Sequence, residues 1–209
     1  EVFRAVDAGQ ADYGVVPVEN STEGPVYATL DLFSRYPLRI CGELALRIEH
    51  HLMAPEGVAR GELQRVYIHP QTRAQCREWL AEHLPGVRLE EVASNAEAAR
   101  RAAGESGAGA VAGRMAAEQY ELSVLAHGIE DDPENTTRFV VVGHADAEPS
   151  GADKTSVVVS APNRPGSLLH VLQPFADAGV NLTKIVSRPA RDQLWEYVFF
   201  LDLEGHRSE

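Results

Sequence analysis

The 209-residue sequence has little cysteine, methionine or tryptophan, two of each, and little positive charge, with 19 Lys and Arg against 31 Asp and Glu. Cys41 and Cys76 have neither metal-site spacing nor the even set of a disulfide framework, which points to a reducing cytoplasm. The net charge of −12 argues against nucleic acid or an anionic membrane as the main partner. It leaves room for a small anionic ligand, because one well-placed Arg can reverse the field inside a cleft. The chain lacks a run of about 18 apolar residues to span a membrane, and no signal peptide is visible. Gly104, Gly107 and Gly109 do not make a dinucleotide fingerprint. His50 and His51, adjacent in an extended stretch, point to opposite faces and lack a third ligand, so no metal site is expected. Ser21 and Ser187 have no His or Asp ordered nearby to argue for a nucleophile.

What is present is ordinary globular material, 44% hydrophobic and 24% charged, enough for one large domain or a medium and a small one. Strands and helices alternate from residue 1 to about 143. A first helix, already in mid-course at Glu1, precedes a strand over Tyr13–Val18, and Pro25 opens a helix to Ser34. An extended stretch covers Leu38–Ile48. Val66-Tyr67-Ile68 is a strand leading into a helix over Thr72–His83. Ser94-Asn95-Ala96-Glu97 has capping-box spacing before a helix to Ala103. Ala110–Ala112 is a short buried strand, followed by a helix over Arg114–Tyr120. The alternation predicts an α/β fold with a mostly parallel sheet. Residues 144–153 (HADAEPSGAD) read as a linker. After it come a strand at Thr155–Ser160, a helix at Pro165–Ala178, and strands at Asn181–Ser187 and Leu194–Leu203. This is the opening of a ferredoxin-like βαββαβ unit without its last helix and strand. The start inside a helix and the stop just after a strand predict a fragment cut at both ends.

Two polar clusters cap apolar strands. In Asn135-Thr136-Thr137-Arg138-Phe139, Arg138 can offer a planar fork to a carboxylate, Thr137 a short donor and Phe139 a wall that excludes water. The plainer alternative makes Arg138 a surface ion-pair partner of Glu134 or Asp132, and Phe139 core. In Glu19-Asn20-Ser21, followed by a helix entry at Gly24-Pro25, Asn20 and Ser21 can donate to an anion beside the helix N-terminus. The alternative there is an ordinary turn and cap. The two clusters, far apart in sequence, are expected to face each other across one cleft. His69-Pro70-Gln71 could orient a substrate, or simply start a helix.

Together these segments resemble the prephenate dehydratase family over essentially the whole chain. Gly14-Val15-Val16-Pro17-Val18-Glu19-Asn20-Ser21-Thr22-Glu23-Gly24 is similar to the family's GVVPxENSxEG motif, with Leu30-Asp31-Leu32 behind it. His69-Pro70-Gln71 through Cys76 is similar to its HPQxxxQC segment, with Ile68 where the family often has Ser. Ala116 to Tyr120 and the Thr137-Arg138-Phe139 signature complete the set. Asn163 to Leu168 and Ile185 to Pro189 resemble the Gly-Ala-Leu and Glu-Ser-Arg-Pro motifs of a regulatory ACT domain, with Ser167 and Val186 as departures.

The resemblance implies a two-lobed, periplasmic-binding-protein-like (type II) catalytic domain over residues 1–143, missing its Gly-rich N-terminal part, a linker over 144–153, and an incomplete ferredoxin-like ACT domain over 154–209. It implies decarboxylative dehydration of prephenate to phenylpyruvate, with Thr137 donating to the leaving hydroxyl. Glu19, Asn20, Ser21, Gln71, Arg138 and Phe139 would bind substrate. Phenylalanine would act as allosteric effector through Gly166, Ser167, Leu168, Ser187, Arg188 and Pro189, in a dimer or tetramer. No metal or organic cofactor is implied, because the substrate carries its own electron source. A chorismate mutase domain ahead of residue 1, or a non-catalytic anion-binding module of the same fold, are the alternatives.

Overall fold

The computed structural model describes residues 1–190 and 196–208. In chain order the elements are α1 (Val2–Asp7), β1 (Gly14–Asn20), β2 (Gly24–Pro25), α2 (Tyr27–Phe33), β3 (Arg39–Arg47), β4 (His51–Pro55), β5 (Arg65–Ile68), α3 (Pro70–Gln75), α4 (Arg77–His83) and β6 (Arg88–Glu91). There follow α5 (Asn95–Ala103), β7 (Ala108–Ala112), α6 (Arg114–Gln119), β8 (Leu122–Ala126), β9 (Thr136–Gly143), β10 (Lys154–Ala161), α7 (Ser167–Asp177), β11 (Leu182–Pro189) and β12 (Tyr197–Glu204). They form two compact units, Glu1–Ala45 with Thr137–Glu209, and Leu46–Thr136.

In the first unit, β2-β1-β9-β3 form a four-stranded sheet. Val16, Val18, Val140 and Val142 alternate inward from β1 and β9 onto Phe3 and Val6 of α1. Gly14 lets α1 lie close to the sheet, since a Cβ there would meet Val2 Cγ1 at 2.4 Å. Pro25 does not open α2 as expected. It pairs with Glu19 in the short strand β2. The unit's second sheet is β10-β12-β11, antiparallel throughout, with α7 between β10 and β11. The expected strand from Leu194 begins at Tyr197 among the described residues; Leu194 itself lies outside them.

The second unit is a five-stranded mixed sheet, β6-β5-β7-β4-β8. Among the described registers, β5–β6 and β5–β7 are parallel and the others antiparallel. The mostly parallel expectation is therefore corrected. The two parallel pairings are those whose strands are joined through α3 and α4 (β5 to β6) and onward through α5 (β6 to β7), the helical crossovers that parallel neighbours need. The single helix expected over Thr72–His83 is two, α3 and α4, broken at Cys76 with φ −121°.

Period-two alternation sends Leu52, Ala54, Val66, Ile68 and Val111 to one face of this sheet, and Met53, Tyr67, Ala110 and Ala112 to the other. The all-buried β7 is built of small residues, and Ala98, Ala99 and Ala102 of α5 pack directly on that second face. Ser94 Oγ caps α5 by accepting from Glu97 N–H at 3.1 Å. Glu97 turns outward to Arg100 and Arg101 instead of closing the box.

His50 and His51 have separate partners. His50 Nε2 lies 2.8 Å from Gln75 Oε1, while buried His51 accepts Gly128 N–H on Nδ1 at 3.2 Å. Burial, then the neighbouring His127, holds the His51 pKa below its ordinary 6.5. The unfolded chain therefore binds this proton more readily, so stability rises with pH up to that value and falls below it. Thermal melts from about pH 5 to about pH 8 should show a smaller acid-side loss in His51→Gln than in the parent protein. Equal slopes would contradict this.

Candidate active site

Antiparallel pairing sets β9 against β1 with Asn20 opposite Thr137 and Glu19 opposite Arg138, just past a bulge between Pro17 and Glu19. The two polar clusters thus lie side by side on neighbouring strands instead of facing each other across a cleft. Asn20 is buried, and its Oδ1 accepts the backbone N–H groups of Thr22 and Glu23, both at 3.0 Å. That turn fixes which way the amide points. Its Nδ2 consequently donates to Thr137 Oγ1 at 2.9 Å. A hydroxyl has one proton and two lone pairs, so Thr137 accepts from Asn20 and keeps its O–H to donate elsewhere.

Arg138 is on the other face. Opposite sides of a strand receive alternate residues, so Thr137 and Phe139 share one face and Arg138 takes the reverse. Its guanidinium is held by three carboxylates: Nη2 to Asp202 Oδ2 at 2.5 Å, Nε 3.3 Å from Glu43 Oε2, and Nη1 3.6 Å from Glu19 Oε2. Burial would lower its pKa, but the hydrogen bond to Asp202 and the charges of Asp202, Glu43 and Glu19 outweigh that and raise it. Arg138 is therefore not a free fork beside Thr137. The ion-pair alternative is right in kind, but the partners are neither Glu134 nor Asp132. The Arg138 face opens on a cavity of about 260 Å³ lined also by Leu30, Val140, Lys184 and Asp202.

The remaining site candidates divide by location. Phe139 is half-buried opposite Pro17, and Ser21 is exposed in the turn after β1. Gln71 is exposed in the first turn of α3, in the second unit, where its N–H reaches His69 Nδ1 at 3.3 Å. Gly166 is the left-handed N-cap of α7 (φ 81°). Ser167 and Leu168 line a cavity of about 180 Å³ with Asn163, Arg164, Tyr197 and Phe199. Ser187 is opposite Phe199 in the sheet. Arg188 turns to the opposite face, forks onto Asp31 at 3.0 and 2.9 Å, and lies 4.6 Å over the Tyr27 ring. It is thus not part of that cavity's lining.

Asp202, Lys184 and Glu43 were missed by sequence reasoning. One signal was available: Asp202 interrupts the apolar run Phe199-Phe200-Leu201, and a charge inside a buried strand requires a partner.

Comparison with known proteins agrees with this frame. The prephenate dehydratase profile matches residues 1–147 and the ACT domain profile residues 155–209. The bifunctional chorismate mutase/prephenate dehydratase of Pseudomonas aeruginosa is 50% identical over 209 residues, all of this chain and 57% of that protein. A prephenate dehydratase from Arthrobacter aurescens, solved in complex with L-Phe, superposes with TM-score 0.87 at 42% identity, covering 97% of this chain and 69% of that one. GqqA, described as a novel type of quorum quenching acylase, gives TM-score 0.86 at 31% identity, covering 98% of this chain and 75% of that one. The chain belongs to the prephenate dehydratase family, with a mixed α/β dehydratase segment of periplasmic-binding-protein-like class followed by an ACT domain. It spans about 57% of the Pseudomonas relative's length.

Replacing Asn20 with Ala removes both the turn acceptor and the Thr137 donor. Urea denaturation of Asn20→Ala should show a loss of about 1–3 kcal/mol. A change under about 0.5 kcal/mol, the range of an ordinary surface substitution, would contradict the arrangement.

Proposed function

We propose that the full-length protein is a prephenate dehydratase, a carbon–oxygen lyase acting in phenylalanine biosynthesis, and that Thr137 is its catalytic hydrogen-bond donor. The reading rests on one observation above others: Asn20 donates to Thr137 Oγ1, which leaves the Thr137 proton to a ligand. In the reaction the bond from the ring to its carboxylate breaks and CO2 leaves. The electron pair moves into the ring, and the C4–oxygen bond breaks as hydroxide departs and takes a proton to become water. Aromatisation drives both cleavages, so the enzyme has to orient the dianion and stabilise the departing oxygen.

A Thr hydroxyl is too weak an acid to be an independent proton source, so Thr137 polarises the leaving group or relays a proton. Phe139, on the same face, walls the ring. Ser21, in the turn that Asn20 organises, binds the substrate's polar groups. Glu19 holds the turn through Arg138. Acyl transfer, the chemistry named for GqqA, would need a base to activate Thr137. Asn20 cannot supply one: its Nδ2 donates to Thr137, and its Oδ1 is occupied by the turn. The same site reading applies whether or not a chorismate mutase activity is carried on the same polypeptide.

Phenylalanine fits as the effector at the cavity beside Ser167 and Leu168, where Tyr197 and Phe199 offer aromatic faces. Gly166 supplies a left-handed N-cap that a side chain would strain. Effector capture by ACT domains implies a homo-oligomer, a dimer or tetramer. Both described cysteines are free, in keeping with a reducing cytoplasm.

In the full-length protein Thr137→Ala should lower phenylpyruvate formation about 10²–10³-fold with the fold intact by circular dichroism, and Thr137→Ser should recover part of it. Turnover near the parent level in Thr137→Ala would sink the assignment. Gly166→Val should weaken inhibition by phenylalanine while leaving uninhibited turnover in place; undiminished inhibition would remove the effector from this cavity.

A further inference from the structure

Within the first unit, one cluster of six charges joins the dehydratase segment to the ACT domain. Glu19, Glu43 and Arg138 come from the former, Lys154, Lys184 and Asp202 from the latter. The first set sums to −1 and the second to +1, so they neutralise one another only when together. Asp202 is its centre. It is 6% exposed, its Oδ2 takes Arg138 Nη2 at 2.5 Å, and its Oδ1 accepts Ser156 Oγ at 2.6 Å. Lys184, directly opposite Asp202 in the sheet, reaches Glu19 Oε2 at 3.0 Å. Glu19 and Arg138 are the register pair immediately beside Asn20 and Thr137.

We propose that Asp202, a residue of the ACT domain, is a positioning residue for the Thr137 site. Through Arg138 it fixes β9 at the position next to Thr137, and with Lys184 it fixes β1 at the position next to Asn20. The inference rests on the function proposed above. A carboxylate in this place is not needed to fold a ferredoxin-like sheet, whose interior is apolar. Its energetic justification lies in the guanidinium it holds, because a partly buried Arg left without its partner bears an uncompensated desolvation cost. The regulatory domain thereby becomes part of the apparatus that aims the catalytic hydroxyl. Strands β11 and β12 carry both Lys184 and Asp202 at one end and Ser187 and Phe199 near the other, which gives an effector bound at the far end a mechanical path to Thr137.

The test uses the full-length protein with asparagine side chains labelled with 15N. The variants are Asp202→Asn, Asp202→Glu and the exposed helix-end control Asp177→Asn, together with Thr137→Ala alone and combined with Asp202→Asn. Asp202→Asn should shift the Asn20 side-chain amide signals and lower kcat for phenylpyruvate formation about 10- to 100-fold, with KM changed little. Asp202→Glu should restore most of that turnover, and Asp177→Asn should change neither readout. In the Thr137→Ala background, Asp202→Asn should cost less than about twofold more, because coupled residues are not additive. Unmoved Asn20 signals, or losses that multiply in the double variant, would overturn the proposal. If the parent protein itself fails to convert prephenate, the proposed function fails separately, and the Asn20 signals still decide whether Asp202 positions the pair.

Discussion

The antiparallel register of β1 and β9 is the constraint on which the rest of this site depends. It sets Asn20 against Thr137 and Glu19 against Arg138, and alternation then assigns the two pairs to opposite faces of the sheet. One face carries a hydroxyl whose oxygen is already occupied and whose proton is free to be used. The other carries a guanidinium whose charge is already met. A slip of one residue would exchange the faces and bring the ion pair to the Thr137 side. The bulge between Pro17 and Glu19 belongs to this device, since it resets the register just before the Glu19–Arg138 and Asn20–Thr137 pairs.

The ion cluster behind the sheet follows from the same register. Arg138 would be expensive in a half-buried place on its own, and it is accompanied by Asp202, Glu43 and Glu19. Such clusters contribute little net stability when compared with apolar packing, yet losing one member is costly. They are better at fixing geometry than at holding a fold together. That suits a contact between the dehydratase segment and the ACT domain if position matters there more than strength. Arg188 repeats the pattern further along β11, with Asp31 and the Tyr27 ring as its partners.

Much of this was legible in the sequence, and the parts that were not have physical causes. The α/β class, the strand beginning near Gly14, the cap at Ser94 and the βαββ order after residue 154 follow from local periodicity and turn chemistry. The adjacency of Asn20 and Thr137 does not, because 117 residues separate them and no local rule reports which strands pair. Cys76 breaks the helix after Gln75 through backbone geometry that composition does not announce. The face taken by Arg138 was available from period-two alternation alone. Three consecutive polar or aromatic residues invite reading as one cluster, whereas a strand must divide them. Asp202 was visible as a charge in an apolar run, but its partner lies in another part of the chain and could be found only in three dimensions.

The central claim is about one hydrogen atom: that Asn20 donates to Thr137, so that Thr137 has a proton to give. Neutron diffraction from deuterium-exchanged crystals locates that atom directly. The account predicts density for an Asn20 Nδ2 deuteron directed at Thr137 Oγ1, with the Thr137 hydroxyl deuteron pointing away from Asn20. A Thr137 deuteron directed at the Asn20 side chain, with the amide turned so that its oxygen accepts, would contradict it.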